Sequence, residues 1–251
     1  MTAPPRLPAF YRLVAFDAID STNEEAKRRA REGAAEGLLV WAKEQLAGRG
    51  RRGRSFASPP GNLYMSVLLR PERTPVAAAQ LSFAAALAVG EAAAALLPDA
   101  ARLRYKWPND VLVDGRKLSG VLLESQASSE GRLDWLVIGM GVNLASHPDG
   151  LEFPAISLAA AGAVVAVEGL LVAVAERFLF WYEHWRRAGF ASLREPWLAR
   201  AQGLGGEIRV RLQAGELFGR FAGLDEEGAL LLEDAAGRRR IAAGDIFPLG
   251  R

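Results

Sequence analysis

The chain has 251 residues, 50% of them apolar and 24% charged, with a formal net charge of +2. That length can bury a full core and fits one large domain plus a small one, and near-neutrality argues against a polycationic surface made for nucleic acid or membrane. With no cysteine and only His147 and His184 as imidazoles, disulfides, thiolate metal sites and cysteine nucleophiles are excluded, and most metal and triad chemistry loses its usual residues.

The opening MTAPPRLPAF carries no apolar h-region of a secretory signal, so a cytoplasmic enzyme is expected. Asp20 to Glu24 supplies a cap and, as Ser-x-x-Glu from Ser21, a capping box ahead of EEAKRRARE, predicting a helix to about Gly33. LLVWAKE reads as a strand; the loop GRGRRG, Gly48 to Gly53, then leads through SPPG to a second strand over Asn62 to Arg70. Thr74 as cap and Pro75 at the first position open an alanine-rich helix. The stretch to Pro98 is long enough to tempt a membrane reading, but its alanine content, Gln80 and Glu91 favour a buried helix, and no membrane partner is expected.

Three more strands are predicted, LRYKW around Lys106, VLLES around Leu122 and WLVIGMGVNL ending near Leu144, with Asp114-Gly115 marking a tight turn. The order is mixed rather than a regular alternation of strand and helix. Val164 to Arg187 suits a helix packed on that sheet, and SLREPWLARA makes a short closing helix. From Gly205 the texture changes to EIRVRL, ELFGRFAGL, ALLLED and RRIAAGDIF at hairpin spacing, which predicts a small β-barrel stabilised mainly by docking on the first domain. The expected boundaries are 1–203 and 204–251.

GRGRRG satisfies the letters of a dinucleotide fingerprint, but the prolines and glycine of SPPG forbid an immediate helix, and no acidic residue stands on a following strand to bind ribose. Three readings stay open. Arginine clusters bind nucleic-acid phosphates, although no basic stripe extends this one; charge runs are often only solvated surface; or glycine lets backbone N–H groups approach a small polyphosphate while Arg49, Arg51 and Arg54 cancel its charge, making the loop a lid.

Taken together, EQLAGRGRRGRSF, KWPNDVLVDGRKLSGVLLE and IGMGVNL, with DSTNEEA before them, resemble the catalytic domain of biotin protein ligases over nearly the whole chain. The resemblance implies an α+β fold: a mixed-sheet catalytic domain of the biotin ligase and class II synthetase-like type, plus a C-terminal SH3-like β-barrel. It also implies two steps, in which biotin and ATP form biotinyl-5′-adenylate and pyrophosphate, and the biotinyl group then passes to one lysine of a biotin carboxyl carrier protein. Such chemistry asks for positioning and charge neutralisation rather than a protein nucleophile, with Mg²⁺ accompanying ATP and no protein metal site.

By the same resemblance, Ser21, Thr22, Asn23 and Gln45 contact biotin, and Arg49, Gly50 and Arg51 close on biotin and its adenylate. Gly48 and Gly53 act as hinges, and Arg54 adds charge for the nucleotide. Lys117 grips the carboxylate and phosphate, Lys106 and Asp110 sit near the phosphate and the incoming lysine, and Asn143 faces the nucleotide. Two departures stand out: Phe56 takes a position often held by tryptophan, and FPAISL, Phe153 to Leu158, has no tryptophan to stack on adenine. About twenty residues precede Ser21, too few for a winged helix, so no operator DNA binding is expected; the oligomeric state, monomer or homodimer, stays open. The alternatives are a lipoate–protein ligase and, from another class, a nucleic-acid-binding module.

Overall fold

Parity along the strands sorts the apolar residues onto two faces of one sheet. In a computed structural model, which describes residues 5–128 and 131–249, Leu39 and Trp41 of β2 (Leu38–Gln45), Met65 and Val67 of β3 (Leu63–Leu69) and Ile138 and Met140 of β7 (Leu133–Val142) point into the main core. Their neighbours Leu38, Val40, Leu68, Trp135 and Val137 face the other way and form a smaller core with Ala26 and Ala30 of helix α1 (Thr22–Arg31).

With β1 (Arg12–Ile19), β4 (Leu103–Lys106), β5 (Asp110–Val113) and β6 (Arg116–Ala127), these strands make a 7-stranded sheet of order β1-β2-β3-β7-β6-β5-β4. Only the β1–β2 pair is parallel among those described; the others are antiparallel. The mixed order anticipated from the sequence is therefore borne out. On the main-core face lie α2 (Pro75–Ala79), α3 (Leu81–Ala94), α4 (Val167–Ala188) and α5 (Ala191–Leu198). Of the apolar window in Pro75–Ala94, 72% is buried inside the protein.

Four local expectations are corrected. Ser21 stands at the N-cap of α1, but its side chain makes no capping hydrogen bond; Glu24 ion-pairs with Lys27 and Arg49 instead of closing a capping box. The alanine-rich helix is two helices that meet at Gln80, whose amide oxygen accepts from Trp185 Nε1 at 2.9 Å and whose amide nitrogen donates to the Glu226 carbonyl at 3.3 Å. Strands β1 and β5 were not anticipated: β1 is a half-exposed sheet edge with weak alternation, and β5 has only 4 residues. RRIAAGDIF holds two strands rather than one.

The C-terminal strands β8 (Glu207–Leu212), β9 (Gly215–Leu224), β10 (Leu230–Asp234), β11 (Gly237–Ile241) and β12 (Asp245–Pro248) form a 5-stranded antiparallel sheet of order β11-β10-β9-β8-β12. Ile208, Val210, Phe221 and Leu232 join the same apolar cluster as the large sheet's core. Trp107 Nε1 donates across the junction to the Gly228 carbonyl at 3.1 Å. At Gly228 a Cβ would lie 2.9 Å from Phe83 of α3 and 3.2 Å from Phe190, so a side chain there would press the β9–β10 turn away from these helices.

Candidate active site

The face of the large sheet that carries α1 is only partly covered by it. Beyond the helix N-terminus, β7 presents Gly139 and Gly141 instead of apolar side chains; a glycine in a strand interior marks a close approach of other groups. A Cβ on Gly139 would collide with the Asn23 carboxamide, and one on Gly141 would lie 2.7 Å from the Phe56 ring. The two glycines thus make room for a cleft of about 840 Å³, counted to its open mouth, walled by Phe56, Tyr64 and Leu122. A concave floor with apolar walls and a polar inner end suits a small organic ligand.

Its inner end is a polar network built at the start of α1. Gln45 Oε1 accepts from Thr22 N at 2.9 Å and from Thr22 Oγ1 at 3.1 Å, and Gln45 Nε2 donates to Ser58 Oγ at 2.9 Å. Ser66 Oγ lies 2.7 Å from Thr22 Oγ1 and 2.6 Å from Asn23 Oδ1, so its single proton can serve only one of them at a time. Asn23 Nδ2 donates to Glu124 Oε2 at 2.9 Å, whose other oxygen accepts from Lys27 Nζ at 2.7 Å. Ser21, Thr22, Asn23 and Lys27 are all buried here. Buried polar atoms held this way are oriented before a ligand arrives, which lowers the entropy cost of binding.

The arginine loop covers the mouth. Arg49 Nη1 pairs with Glu24, and Arg51 Nη1 donates to Asn109 Oδ1 at 3.0 Å. Burial pushes the Arg51 guanidinium pKa down, opposed by the nearby carboxylates of Asp245 and Asp110. The left-handed backbone falls at Arg52 (φ 56°) and Gly53 (φ 74°). Gly48 is needed for space rather than rotation, since a Cβ there would strike the Phe56 carbonyl.

At the outer end Lys117 Nζ pairs with Asp110 Oδ1 at 2.6 Å. The backbone of Lys117 is pinned by FPAISL: Lys117 N donates to Pro154 O at 2.8 Å, and Ile156 N donates to Lys117 O at 3.0 Å. Asn143 Nδ2 donates to Lys117 O and Ile156 O at 3.3 and 3.2 Å. Behind this pair, Lys106 Nζ lies 3.5 Å from the Phe153 ring centre and 4.9 Å from that of Phe247. Burial lowers the Lys106 pKa to about 8, with Asp110 opposing the shift. A second cleft of about 530 Å³, counted to its mouth, shares Phe56 and Lys117 with the first and is bounded by Asn143, Pro148, Leu151 and Ala155.

Of the residues singled out from the sequence, Ser21, Thr22, Asn23, Gln45, Arg49, Gly50, Arg51, Arg54, Asp110 and Lys117 line the first cleft, and Asn143 lines the second. Lys106 lines neither; it stands behind Asp110, opposite it in the β4–β5 register. Arg54 turns its guanidinium to Asp245 Oδ2 at 3.3 Å. Sequence reasoning missed Ser66, Asn109, Glu124 and Asp245. The paired glycines of IGMGVNL carried a legible hint of a cleared floor; Asn109 and Glu124 stand inside KWPNDVLVDGRKLSGVLLE, but their partners Arg51, Asn23 and Lys27 come from distant segments.

The family model described as Biotin/lipoate A/B protein ligase family matches residues 15–143, and that of the Biotin protein ligase C terminal domain matches 203–247. A biotin–acetyl-CoA-carboxylase ligase of Paracoccus denitrificans is 44% identical over 234 residues, covering 91% of this chain and 97% of its own length. The bifunctional ligase/repressor BirA of Bacillus subtilis (strain 168) is 37% identical over 243 residues, covering 93% of this chain and 73% of its own. Among solved structures, the biotin protein ligase from Aquifex aeolicus in complex with biotin and ATP is similar with a TM-score of 0.79 at 28% identity, covering 94% of this chain and 97% of that one.

Proposed function

The chain belongs to the biotin/lipoate A/B protein ligase family, and from that premise we propose that it is a biotin protein ligase that adenylates biotin with ATP and passes the biotinyl group to a lysine of a biotin carboxyl carrier protein. The observation that carries this reading is the two-part cleft: a pocket with a prearranged polar end joins a second pocket at Lys117, where the two reacting anions must meet.

In this reading the Thr22, Gln45 and Ser66 network at the inner end meets the ureido group of biotin, and Phe56, Tyr64 and Leu122 wall its rings. The carboxylate end then reaches Lys117 and Arg51. Biotin's carboxylate oxygen attacks the α-phosphorus, the bond to pyrophosphate breaks, and the acceptor amine later displaces AMP from the mixed anhydride. Lys117 and Arg51 offset the negative charge of both partners and hold them in line. Asn143 keeps Lys117 in place through the backbone, so its role toward the nucleotide is positional, and Lys106 screens the phosphate region from behind Asp110. The nucleobase takes the second cleft, between Phe56 and the aliphatic surfaces of Pro148 and Leu151. Mg²⁺ would enter with the polyphosphate and neutralise part of its charge; Asp110, paired with Lys117, is the carboxylate of the cleft beside the site of the phosphates that would help hold it.

The loop arginines engage Glu24 and Asp245 rather than forming an open basic stripe, which favours a small-anion lid over operator DNA. The test is biotin-dependent exchange of pyrophosphate into ATP, run with biotin, with lipoate and with neither, followed by addition of a biotin acceptor domain. Exchange with biotin alone and subsequent transfer to the acceptor lysine are expected. Exchange with lipoate instead would overturn the substrate, and exchange with neither would overturn adenylation.

A further inference from the structure

Three arginines of the mouth loop converge on one carboxylate from the other end of the chain. Asp245 begins β12 in the C-terminal sheet; its Oδ2 lies 3.2 Å from Arg52 Nη1 and 3.3 Å from Arg54 Nη2, and its Oδ1 lies 3.9 Å from Arg51 Nη1. Its position is set by close packing. Asp245 pairs with Arg211 of β8 in register, and the preceding Gly244 is tightly packed, since a Cβ there would crowd Val210 at 3.1 Å and the Arg211 carbonyl at 3.2 Å.

The loop needs such an anchor. Arg51, Arg52 and Arg54 are like charges within one short turn, so without a shared counter-charge they repel one another and the loop opens. The division of labour is visible in the distances: Arg52 and Arg54 hold Asp245, while Arg51 keeps a neutral partner, Asn109, at 3.0 Å and stays available to the cleft. The same C-terminal edge makes a second tie with reversed polarity, since Arg211 of β8 pairs with Glu152, the chain neighbour of Leu151 in the second cleft, at 2.6 and 3.1 Å. Arg211 and Arg209 also stack on Phe247 of β12.

We propose that Asp245 is a positioning residue: a latch on the C-terminal sheet that holds the arginine loop shut over the first cleft through Arg52 and Arg54, and so sets how long the activated intermediate is retained. The latch follows from the ion pairs themselves; its role in retention rests on the adenylation reading above. The C-terminal sheet then contributes to the first half-reaction without touching the reacting atoms, and high salt loosens the lid because these pairs are partly exposed.

The test uses the full chain. In limited trypsin digestion without substrates, Asp245→Asn should speed cleavage after Arg52 and Arg54 about threefold to tenfold relative to cuts elsewhere, the range expected for losing one or two half-exposed ion pairs, and Asp245→Glu should restore the parental pattern. In the presence of biotin and ATP, Asp245→Asn should release adenylate to solution faster by a similar factor. Arg52→Gln combined with Arg54→Gln, which leaves the C-terminal sheet untouched, should do the same, and adding Asp245→Asn to that pair should cause no further increase. Parental cleavage in Asp245→Asn, or fully additive effects, would overturn the latch. Faster cleavage with unchanged adenylate escape would overturn its role in retention. A parent protein that shows no biotin-dependent exchange would overturn the adenylation reading instead, and the digestion would still decide the latch.

Discussion

Two lysines separated by a hairpin show how environment divides one side-chain chemistry into two tasks. Lys117 stands at the mouth with Asp110 at 2.6 Å, so its charge is available where anions would meet; Lys117→Ala should lower biotin-dependent pyrophosphate exchange about 100-fold, the scale of removing one charged donor from such a site, while melting temperature stays near the parent's. Lys106 is buried between aromatic rings, and its pKa falls to about 8. Between about pH 8 and the ordinary lysine range the unfolded chain binds more protons than the folded one, so stability contributed by this group rises with pH across that window. The melting temperature of the parent should therefore gain on that of Lys106→Met as pH is raised from 7 to about 10; a constant difference would show that the burial penalty is not realised. The letters of KWPND and RKLSG picked out both lysines, but not which of them is buried, because burial is decided by Phe153 and Phe247, which arrive from distant segments.

At the scale of elements, β7 and the arginine loop carry the site in opposite ways, one by leaving space and the other by filling it. Gly141→Ala should displace the Phe56 ring and raise KM for biotin about tenfold with little change in melting temperature, since a side chain can yield. Gly139→Ala should cost about 1–3 kcal/mol of stability as well, because the colliding Asn23 is held by Ser66 and Glu124 and overpacking against a fixed group strains the structure. Biotin saturation curves and thermal melts of the two variants separate these outcomes. In the loop, Arg51→Ala should leave adenylate formation measurable while speeding release of the intermediate into solution, and equal retention by variant and parent would refute the lid. Strand β7 was legible from its apolar run, and the helix at Ser21 from the Ser-x-x-Glu pattern that opens it. Edge strand β1 was not, since a half-exposed edge has little pattern to read, and neither was the break at Gln80, which follows its bonds to Trp185 and Glu226.

For the whole molecule, the two sheets share one apolar cluster and are joined by Trp107, Gln80 and the Asp245 and Glu152 ion pairs. A shared core predicts a shared transition. Calorimetry should show a single unfolding step rather than one for each sheet, and Phe221→Ala, fully buried in β9, should destabilise the protein by about 3–5 kcal/mol while keeping the transition single. Two resolved transitions would mean that the junction contributes little.

From its letters alone this protein reads as strands and helices in mixed order, with a change of texture near Gly205 and a glycine-arginine loop, while the resemblance of its motifs to biotin protein ligases implied the α+β fold and the lysines of its candidate site. These are local properties: periodicity, turn residues and short motifs are all written within a few residues of one another. Tertiary structure alone decided that Gly139 and Gly141 clear the floor of the cleft, that Ser66 and Glu124 order its inner end, that Lys106 withdraws behind Asp110, and that Asp245 holds the loop. Each of those depends on groups brought together across up to about two hundred positions of chain by the packing of a common core, which no local pattern encodes.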